Sequence, residues 1–450
     1  MKEDTVFALS SPVGGAIAIV RITGGGARNA LMRVFRCKKA PEHRVMSYGH
    51  VVDKESGEII DSAMACFLEA PATYTGEDMA EIYIHGSRVI AKRTLELLSR
   101  FLRPAEGGEF TKRAFMNGKL DLSQAEAVMD VISSVTEQGA RMAEEQLAGS
   151  IGSGIRDIED SLIDILSGVE AALDYPDELE EDTISSLNGD LAPIIQRLDY
   201  LIRGGNAARI FREGAAVAIL GAPNAGKSSL FNALMGTERA IVTSIPGTTR
   251  DTLEETLDIC GAPVRMIDTA GIREGADEAE RIGVERAKKA GERADLILIA
   301  IDGTKPMDEE SRALIAAASR GEYKKCILIF TKADKADFMP HENGENCENC
   351  AALSPISVSS VTGEGLDALK ERMAALLLTK EAESALVTNS RHIHALAEAK
   401  AALEAADAAA GTDLAAADIR TALYALGRIT GREVTADVIE RIFSRFCVGK

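Results

Sequence analysis

The chain has no tryptophan, and aromatic residues make up only 4% of its 450 positions. Its cores must therefore be built from Ala, Leu, Ile and Val, which suits helices and parallel strands better than a β-sandwich. Basic residues are also scarce: 51 Lys and Arg stand against 70 Asp and Glu, a formal charge of −19. Such a balance repels polyanions, so any work on RNA needs a local patch or a basic partner. Long apolar runs are missing, and the longest, such as Leu296 to Ile301, fall far short of a bilayer span. No such run follows Lys2, Glu3 and Asp4, so no signal peptide is visible. The seven cysteines are scattered and odd in number, which argues against a disulfide framework and for a reducing compartment. Together these absences predict a cytoplasmic protein without membrane association.

What is present is ordinary for a folded chain, 46% hydrophobic and 27% charged, at a length that implies about two to four domains. Residues 1–118 mix strand-like runs (Ala16 to Ile22, Glu81 to His85) with a helical stretch from Ser87 to Leu102, an α+β reading. Gly24-Gly25-Gly26 lacks the spacing of a dinucleotide fingerprint and reads as a turn. Over residues 119–213 the pattern becomes helical: Leu122, Ala125, Val128, Met129, Ile132 and Val135 recur at three- and four-residue spacing. The acidic run Tyr175 to Asp182 reads as a solvated loop or helix entrance, with a further helix over about 190–212. Residues 214–378 alternate strands (Val217 to Leu220, Leu296 to Ile301, Ile327 to Phe330, Ile356 to Val358) with helices, which predicts a parallel doubly wound sheet. Residues 379–450 are alanine-rich and helical again. The expected fold is thus multidomain, α/β plus α, with a nucleotide domain inserted between the two halves of a helical domain.

The chemistry concentrates in that third segment. The strand Val217 to Leu220 runs into Gly221-Ala222-Pro223-Asn224-Ala225-Gly226-Lys227-Ser228-Ser229, a phosphate-binding loop in its strand–loop–helix setting. Its glycines let backbone N–H groups point at a β-phosphate beside a helix N-terminus. Lys227 should reach the β- and γ-phosphates, and the Ser228 hydroxyl should bind Mg²⁺. Downstream, a hairpin turning at Cys260-Gly261 leads into Asp268-Thr269-Ala270-Gly271. Asp268 is placed to hold Mg²⁺ through water and Gly271 to offer its N–H to the γ-phosphate. Gly247-Thr248-Thr249-Arg250-Asp251 supplies a switch threonine for Mg²⁺, Thr249 or its competitor Thr248. After the strand Ile327 to Phe330, Thr331-Lys332-Ala333-Asp334 reads the base, because the Asp334 carboxylate can accept two hydrogens from guanine that adenine does not offer. Threonine at 331 replaces the asparagine usual there. Ser359-Ser360 would be the last base-contacting loop. The residue after Gly271 is Ile272, which cannot orient a water, so hydrolysis must recruit another group from Arg273, Glu274, Asp277, Glu278 or Glu280. An Asn224 oxygen near the β-phosphate could coordinate a K⁺ ion there, supplying the charge an arginine finger supplies elsewhere.

Taken with Gly108-Glu109-Phe110-Thr111-Lys112-Arg113-Ala114-Phe115, Lys119-Leu120-Asp121 and the terminal Cys447-Val448-Gly449-Lys450, these motifs resemble the tRNA-modification GTPase MnmE (TrmE) family over essentially the whole chain. The resemblance implies an N-terminal tetrahydrofolate-binding and dimerisation domain, a helical domain in two halves, and a Ras-like GTPase inserted between them. It implies a homodimer whose paired GTPase domains hydrolyse GTP with K⁺, Glu280 acting as the catalytic glutamate. It adds Thr243 and Ser244 to the GTP contacts, and Asn224, Thr243, Ile245 and Thr248 as K⁺ ligands. It assigns Arg21, Glu81, Lys119 and Lys450 to a 5-formyl- or 5,10-methylene-tetrahydrofolate, and makes Cys447 necessary for modification. An MnmG-type partner carrying FAD completes a heterotetramer that modifies C5 of the wobble uridine and provides most of the tRNA surface. The competing reading is a ribosome-assembly GTPase switch, which shares the middle motifs but has no use for a folate domain or a terminal Cys-Val-Gly-Lys. Cys347 and Cys350 with His341 resemble half a zinc site, but no second pair follows and they read as a polar loop. His392 and His394 read as partly exposed residues at a helix start.

Overall fold

A computed structural model of the chain describes residues 4–237, 256–267, 294–339, 355–383, 385–409, 411–444 and 446–449. The first element group is β1 (Val6–Leu9), β2 (Ile17–Thr23), α1 (Ala27–Val34), β3 (Phe35–Cys37), β4 (Ser47–Val52), β5 (Ile59–Leu68), β6 (Met79–His85), α2 (Arg88–Ser99) and β7 (Arg103–Pro104). Among the described residues these strands form a seven-stranded sheet in the order β3-β4-β5-β6-β2-β1-β7. Alternation decides its two faces. Ala18, Val20, Ile22, Ala63, Ala65, Ile82 and Ile84 point to one side and pack into a core with Ala27, Leu31, Ala91 and Leu98 of α1 and α2. The other side carries Ile17, Tyr48 and Met64, which are 60%, 68% and 45% exposed, together with Arg21, Glu81 and Tyr83. An apolar sheet face left uncovered in this way suits an interface.

A run of helices follows: α3 (Glu109–Met116), α4 (Leu122–Ser133), α5 (Glu137–Leu147), α6 (Ser150–Asp174), α7 (Pro176–Ala208) and α8 (Ile210–Glu213). Asp121 caps α4 through a capping box with Gln124. Of the two readings of the acidic run at 175–182, the helix entrance holds. α7 begins at Pro176 rather than near residue 190, with proline in the first turn, where its missing N–H costs no helical bond.

The third group is β8 (Ala215–Leu220), α9 (Lys227–Thr237), β9 (Thr256–Ile259), β10 (Ala262–Ile267), β11 (Leu296–Asp302), α10 (Glu309–Ser319), β12 (Cys326–Thr331), β13 (Ile356–Val358) and α11 (Leu366–Leu377). These strands make a six-stranded sheet among the described residues, ordered β13-β12-β11-β8-β10-β9, parallel except for the β9–β10 hairpin. Every residue of β8 is buried. Val217 and Ile219 feed one core with Leu298 and Ile329, while Ala218 and Leu220 feed another with Ile299 and Leu328. A sheet covered on both faces needs such continuous apolar strands.

The last group is α12 (Lys380–Glu383), α13 (Ser390–Asp407), α14 (Thr412–Thr430) and α15 (Ala436–Phe443). Leu162, Leu191 and Leu198 of α6 and α7 share one core with Leu396, Leu403, Ile419 and Leu426 of α13 and α14. Helices on either side of the nucleotide-sheet segment therefore close on each other. Buried polar contacts reinforce the junction: Gln146 Nε2 donates to Leu386 O (3.1 Å) and Thr388 Oγ1 (2.9 Å). Arg391 Nε and Nη2 hold Glu126 at 3.0 and 2.6 Å. His392, expected to be partly exposed, is 1% exposed and bonds Glu126 through Nε2 at 2.8 Å, because α4 packs directly over the start of α13; His394 is exposed as expected. No described helix is long and apolar enough to cross a membrane.

Candidate functional site

The phosphate loop leaves the centre of the second sheet, between β8 and α9. Gly221 has φ +152 and Gly226 φ +83, and a Cβ on Gly221 would sit 2.2 Å from Ala300 O. Only glycine allows that approach. Asn224 also takes a positive φ of 64 and is exposed at the top of the loop. Lys227 opens α9 and donates Nζ to Gly221 O (2.7 Å) and Ala222 O (2.8 Å). Burial pulls its ammonium below the usual lysine range, with Glu310 opposing. Ser228 and Ser229 follow on the exposed first turn, while Ala225 is buried beneath the loop. The loop thus offers an ammonium, a hydroxyl and a helix N-terminus on one side, the donor set a Mg²⁺–triphosphate requires.

The candidate base-contacting loop lies at the ends of neighbouring strands. Thr331 is 2% exposed and donates Oγ1 to Ala225 O at 2.7 Å, with Ile301 O at 3.1 Å. Its role is to tie the base loop to the phosphate loop. The sequence reading, which weighed Thr331 only as a base contact, missed this tie. Lys332 has φ +65 and donates Nζ to Asp302 Oδ2 at 2.6 Å. Burial raises the Asp302 carboxyl, but Lys332 and Thr304 outweigh it and hold it below its ordinary value. Ser359, fully buried, donates Oγ to Asp334 Oδ1 at 2.8 Å and accepts from the amides of Val361 and Thr362. That hydroxyl keeps the exposed Asp334 carboxyl below its ordinary range. Asp334 therefore presents an ionised, oriented acceptor, with Ser360 beside it half-buried. Thr243, Ser244, Ile245, Thr248, Thr249, Asp268, Thr269, Ala270, Gly271, Glu280 and Lys450 lie outside the described residues, as do His341, Cys347 and Cys350.

A second constellation sits on the first sheet. Antiparallel register puts Arg21 opposite Glu81, and Arg21 Nε meets Glu81 Oε1 at 2.8 Å. Tyr83 donates its hydroxyl to Glu81 Oε2 at 2.5 Å. Burial and the neighbouring carboxylate push this phenol up to about 12. Tyr74, whose phenol burial also raises, bonds Thr111 Oγ1 at 2.9 Å and feels the Arg21 charge. Lys119 donates Nζ to Pro71 O at 3.1 Å, on the same 71–76 segment. Tyr74 and Tyr83 escaped the sequence reading because nothing local marks them. A carboxylate, a guanidinium and two phenols suit a heteroaromatic ring bearing an anionic tail, which is the chemistry of a folate.

The chain's last described residues return to this sheet. Phe443 and Phe446 pack with Phe115, Leu122 and Ala125. Gly108 N donates to Cys447 O at 3.2 Å, and Val448 bridges to Gly107. Gly449 has φ +93, and a Cβ there would lie 2.6 Å from Leu9 O. Cys447, half-buried, is thus held against the N-terminal sheet by residues more than 300 positions away in sequence.

The sequence comparisons agree with both ends of this arrangement. The GTP-binding protein TrmE N-terminus model matches residues 5–119, and the MnmE helical domain model matches residues 122–447. The tRNA modification GTPase MnmE of Natranaerobius thermophilus is 39% identical over 463 residues, covering 100% of each chain. That of Geobacillus thermodenitrificans is 42% identical over 465 residues, covering 99% of each. The chain belongs to the tRNA modification GTPase MnmE family.

Proposed function

We propose that this chain is a K⁺-dependent GTPase that acts as a homodimer with an FAD-carrying MnmG-type partner to modify C5 of the wobble uridine of certain tRNAs. A tetrahydrofolate derivative on the N-terminal sheet supplies the one-carbon unit, and Mg²⁺ and K⁺ serve the nucleotide. The observation that carries this reading is the return of the chain's last described residues to the N-terminal segment, Cys447 O accepting from Gly108 N and Gly449 lying against Leu9 of β1, on the sheet that holds Arg21 and Glu81. A GTPase switch without modification chemistry has no use for that contact.

Within the reading, this chain's residues divide the work. Gly221, Gly226 and Lys227 orient the triphosphate; Ser228 and Thr249 would hold Mg²⁺, and Asn224 with Thr243, Ile245 and Thr248 would hold K⁺, whose charge would offset that developing on the phosphates. Water attacks the γ-phosphate, with Glu280 positioning it, and GDP and phosphate leave. Arg21 and Lys119 with Lys450 bind the folate tail while Glu81 anchors the ring. The uncovered face bearing Ile17, Tyr48 and Met64 supports a second copy as its cover.

The test is steady-state GTP hydrolysis by the purified chain in KCl against NaCl. Strong stimulation by K⁺, lost in Asn224→Ala, is the expected result. Equal rates in both salts would discredit the cation mechanism while leaving family membership untouched.

A further inference from the structure

A chain of formal charge −19 can hold a polyanion only where its cations gather. One such place shares Lys119 with the N-terminal constellation and is otherwise lined by residues outside both sites above. A cleft of about 840 Å³ opens where the start of α4 and the turn between α5 and α6 face the turn after α14. Its size falls in the range of ligand-binding clefts. Arg156 and Arg432 line it, with side chains 45% and 55% exposed. Among the described residues, Arg156 faces Asp121 Oδ2 at 3.8 Å, beyond hydrogen-bond range, and its charge also reaches Glu159. Arg432 commits Nη1 to Glu159 Oε2 at 2.9 Å, which leaves the rest of its fork available.

Ser150 supplies an independent observation. Ser150 lines the same cleft, and its Oγ is shut away from solvent with no hydrogen-bond partner. Buried hydroxyls are almost always paired, so an orphan on a residue that lines a cleft is free to turn toward a ligand oxygen there. The α6 N-terminus is not the basis here, because Asp121 Oδ2 already faces it: a Cβ on Gly152 would lie 2.2 Å from that oxygen. Asp121 is itself engaged by Ser123 Oγ and the Gln124 amide. Glu145, the other acid in the lining, is paired with Arg141. With the lining Lys119 ammonium committed to Pro71 O, the unspent capacity of the cleft belongs chiefly to two guanidinium groups and one hydroxyl, a set matched to phosphate oxygens.

We infer that this cleft grips the phosphodiester backbone of the RNA substrate, Arg156 and Arg432 each engaging a phosphate and Ser150 Oγ donating to a phosphate oxygen. The inference rests on the chain acting on tRNA. An open cleft with half-exposed arginines at its rim suits a strand passing through it better than a small ligand enclosed in it. It also places a cationic patch of the chain's own beside whatever RNA surface a partner supplies.

The experiment measures tRNA affinity of the full chain with its FAD-carrying partner across a KCl series, for wild type, Arg156→Gln, Arg432→Gln and Ser150→Ala. Each arginine variant should weaken binding about three- to tenfold and reduce the slope of log affinity against log salt by about 0.7–0.9, as loss of one phosphate contact requires. Ser150→Ala should weaken binding less and leave the slope unchanged. Among the described residues Arg156 makes no hydrogen bond and only a long, half-exposed ion pair, so Arg156→Gln should keep the melting temperature near wild type and GTP hydrolysis intact, which separates lost binding from lost folding. Wild-type affinity and slope in Arg156→Gln and Arg432→Gln would overturn the inference alone. No tRNA binding by the wild-type complex would overturn the tRNA reading and the inference with it. Titration with inorganic pyrophosphate supplies the remaining arm: saturable binding lost in Arg156→Gln, with tRNA affinity intact, would make the cleft a small-anion site and overturn the RNA assignment.

Discussion

Thr331 Oγ1 lies 2.7 Å from the carbonyl oxygen of Ala225, so the proposed base-contacting loop is bolted to the phosphate loop. Both ends of that bond are buried. Thr331→Val keeps the side-chain shape but strands the Ala225 carbonyl, which should cost about 1–3 kcal/mol of stability. GTP and GDP affinity should fall together, by about tenfold, since the bond positions loops rather than contacting either nucleotide's distinguishing phosphate. Thermal melts and fluorescent-nucleotide titrations check this. A variant with unchanged melting and unchanged affinity would show the bond to be idle.

Asp334 presents an ionised carboxylate oriented by Ser359. Two hydrogen bonds from guanine to a charged acceptor are worth about 3–6 kcal/mol, so Asp334→Asn should weaken GTP binding by about 10²–10⁴-fold. Xanthosine triphosphate, which carries an oxygen where guanine carries its amino group, should bind the variant better than GTP does. Competition titrations read this directly, and a variant that still prefers GTP would remove Asp334 from base recognition.

The Glu126–His392–Arg391 cluster should make the fold sensitive to acid. Burial raises the Glu126 carboxyl, but His392 and Arg391 outweigh it and hold it well below the usual carboxylate range. Burial pulls His392 below its ordinary 6.5, with Glu126 opposing. Both values are depressed by folding, so the stability they give is present above the unfolded values and drains away as pH falls. His392 drives the loss below about 6.5 and Glu126 extends it below about 4.5. Melting temperatures over this range should decline toward acid. Glu126→Gln should cost about 3–5 kcal/mol near neutral pH and flatten the decline below 4.5. A wild-type melting temperature that rises on acidification would contradict the assignment.

Cys447→Ser should abolish tRNA modification while leaving GTP hydrolysis intact, because the cysteine sits against the N-terminal sheet and not at the nucleotide. Gly449→Ala offers a gentler probe. Its methyl would press on Leu9 O from a left-handed backbone, costing about 1–3 kcal/mol locally and shifting the tail. Modification should drop with GTPase activity retained. Full modification by both variants would make the docked tail a packing feature.

Parts of this molecule are legible in sequence because their geometry is local. Gly221, Gly226 and Lys227 announce the phosphate loop one residue at a time, and Cys260-Gly261 does turn the β9–β10 hairpin, both residues at positive φ. The start of α7 was harder. Its acidic first turns look like a solvated loop unless Pro176 is read as a helix-opening residue. Arg21 meets Glu81 only through the register of strands far apart in sequence, and register is invisible until the partner strands are known; Tyr83 reaches the same carboxylate from two residues along β6. His392 reads as a surface histidine for the same reason: the helix that buries it lies 266 positions earlier.

The core shared by Leu162, Leu191 and Leu198 with Leu396, Leu403 and Leu426 also sets an order of assembly. On a ribosome, α6 and α7 emerge long before the helices that cover their apolar faces. They must wait, unburied, while the entire nucleotide-sheet segment is synthesised and folds between them. The Val448–Gly107 bridge forms later still, so the cysteine reaches its sheet only after every other part of the chain has been made.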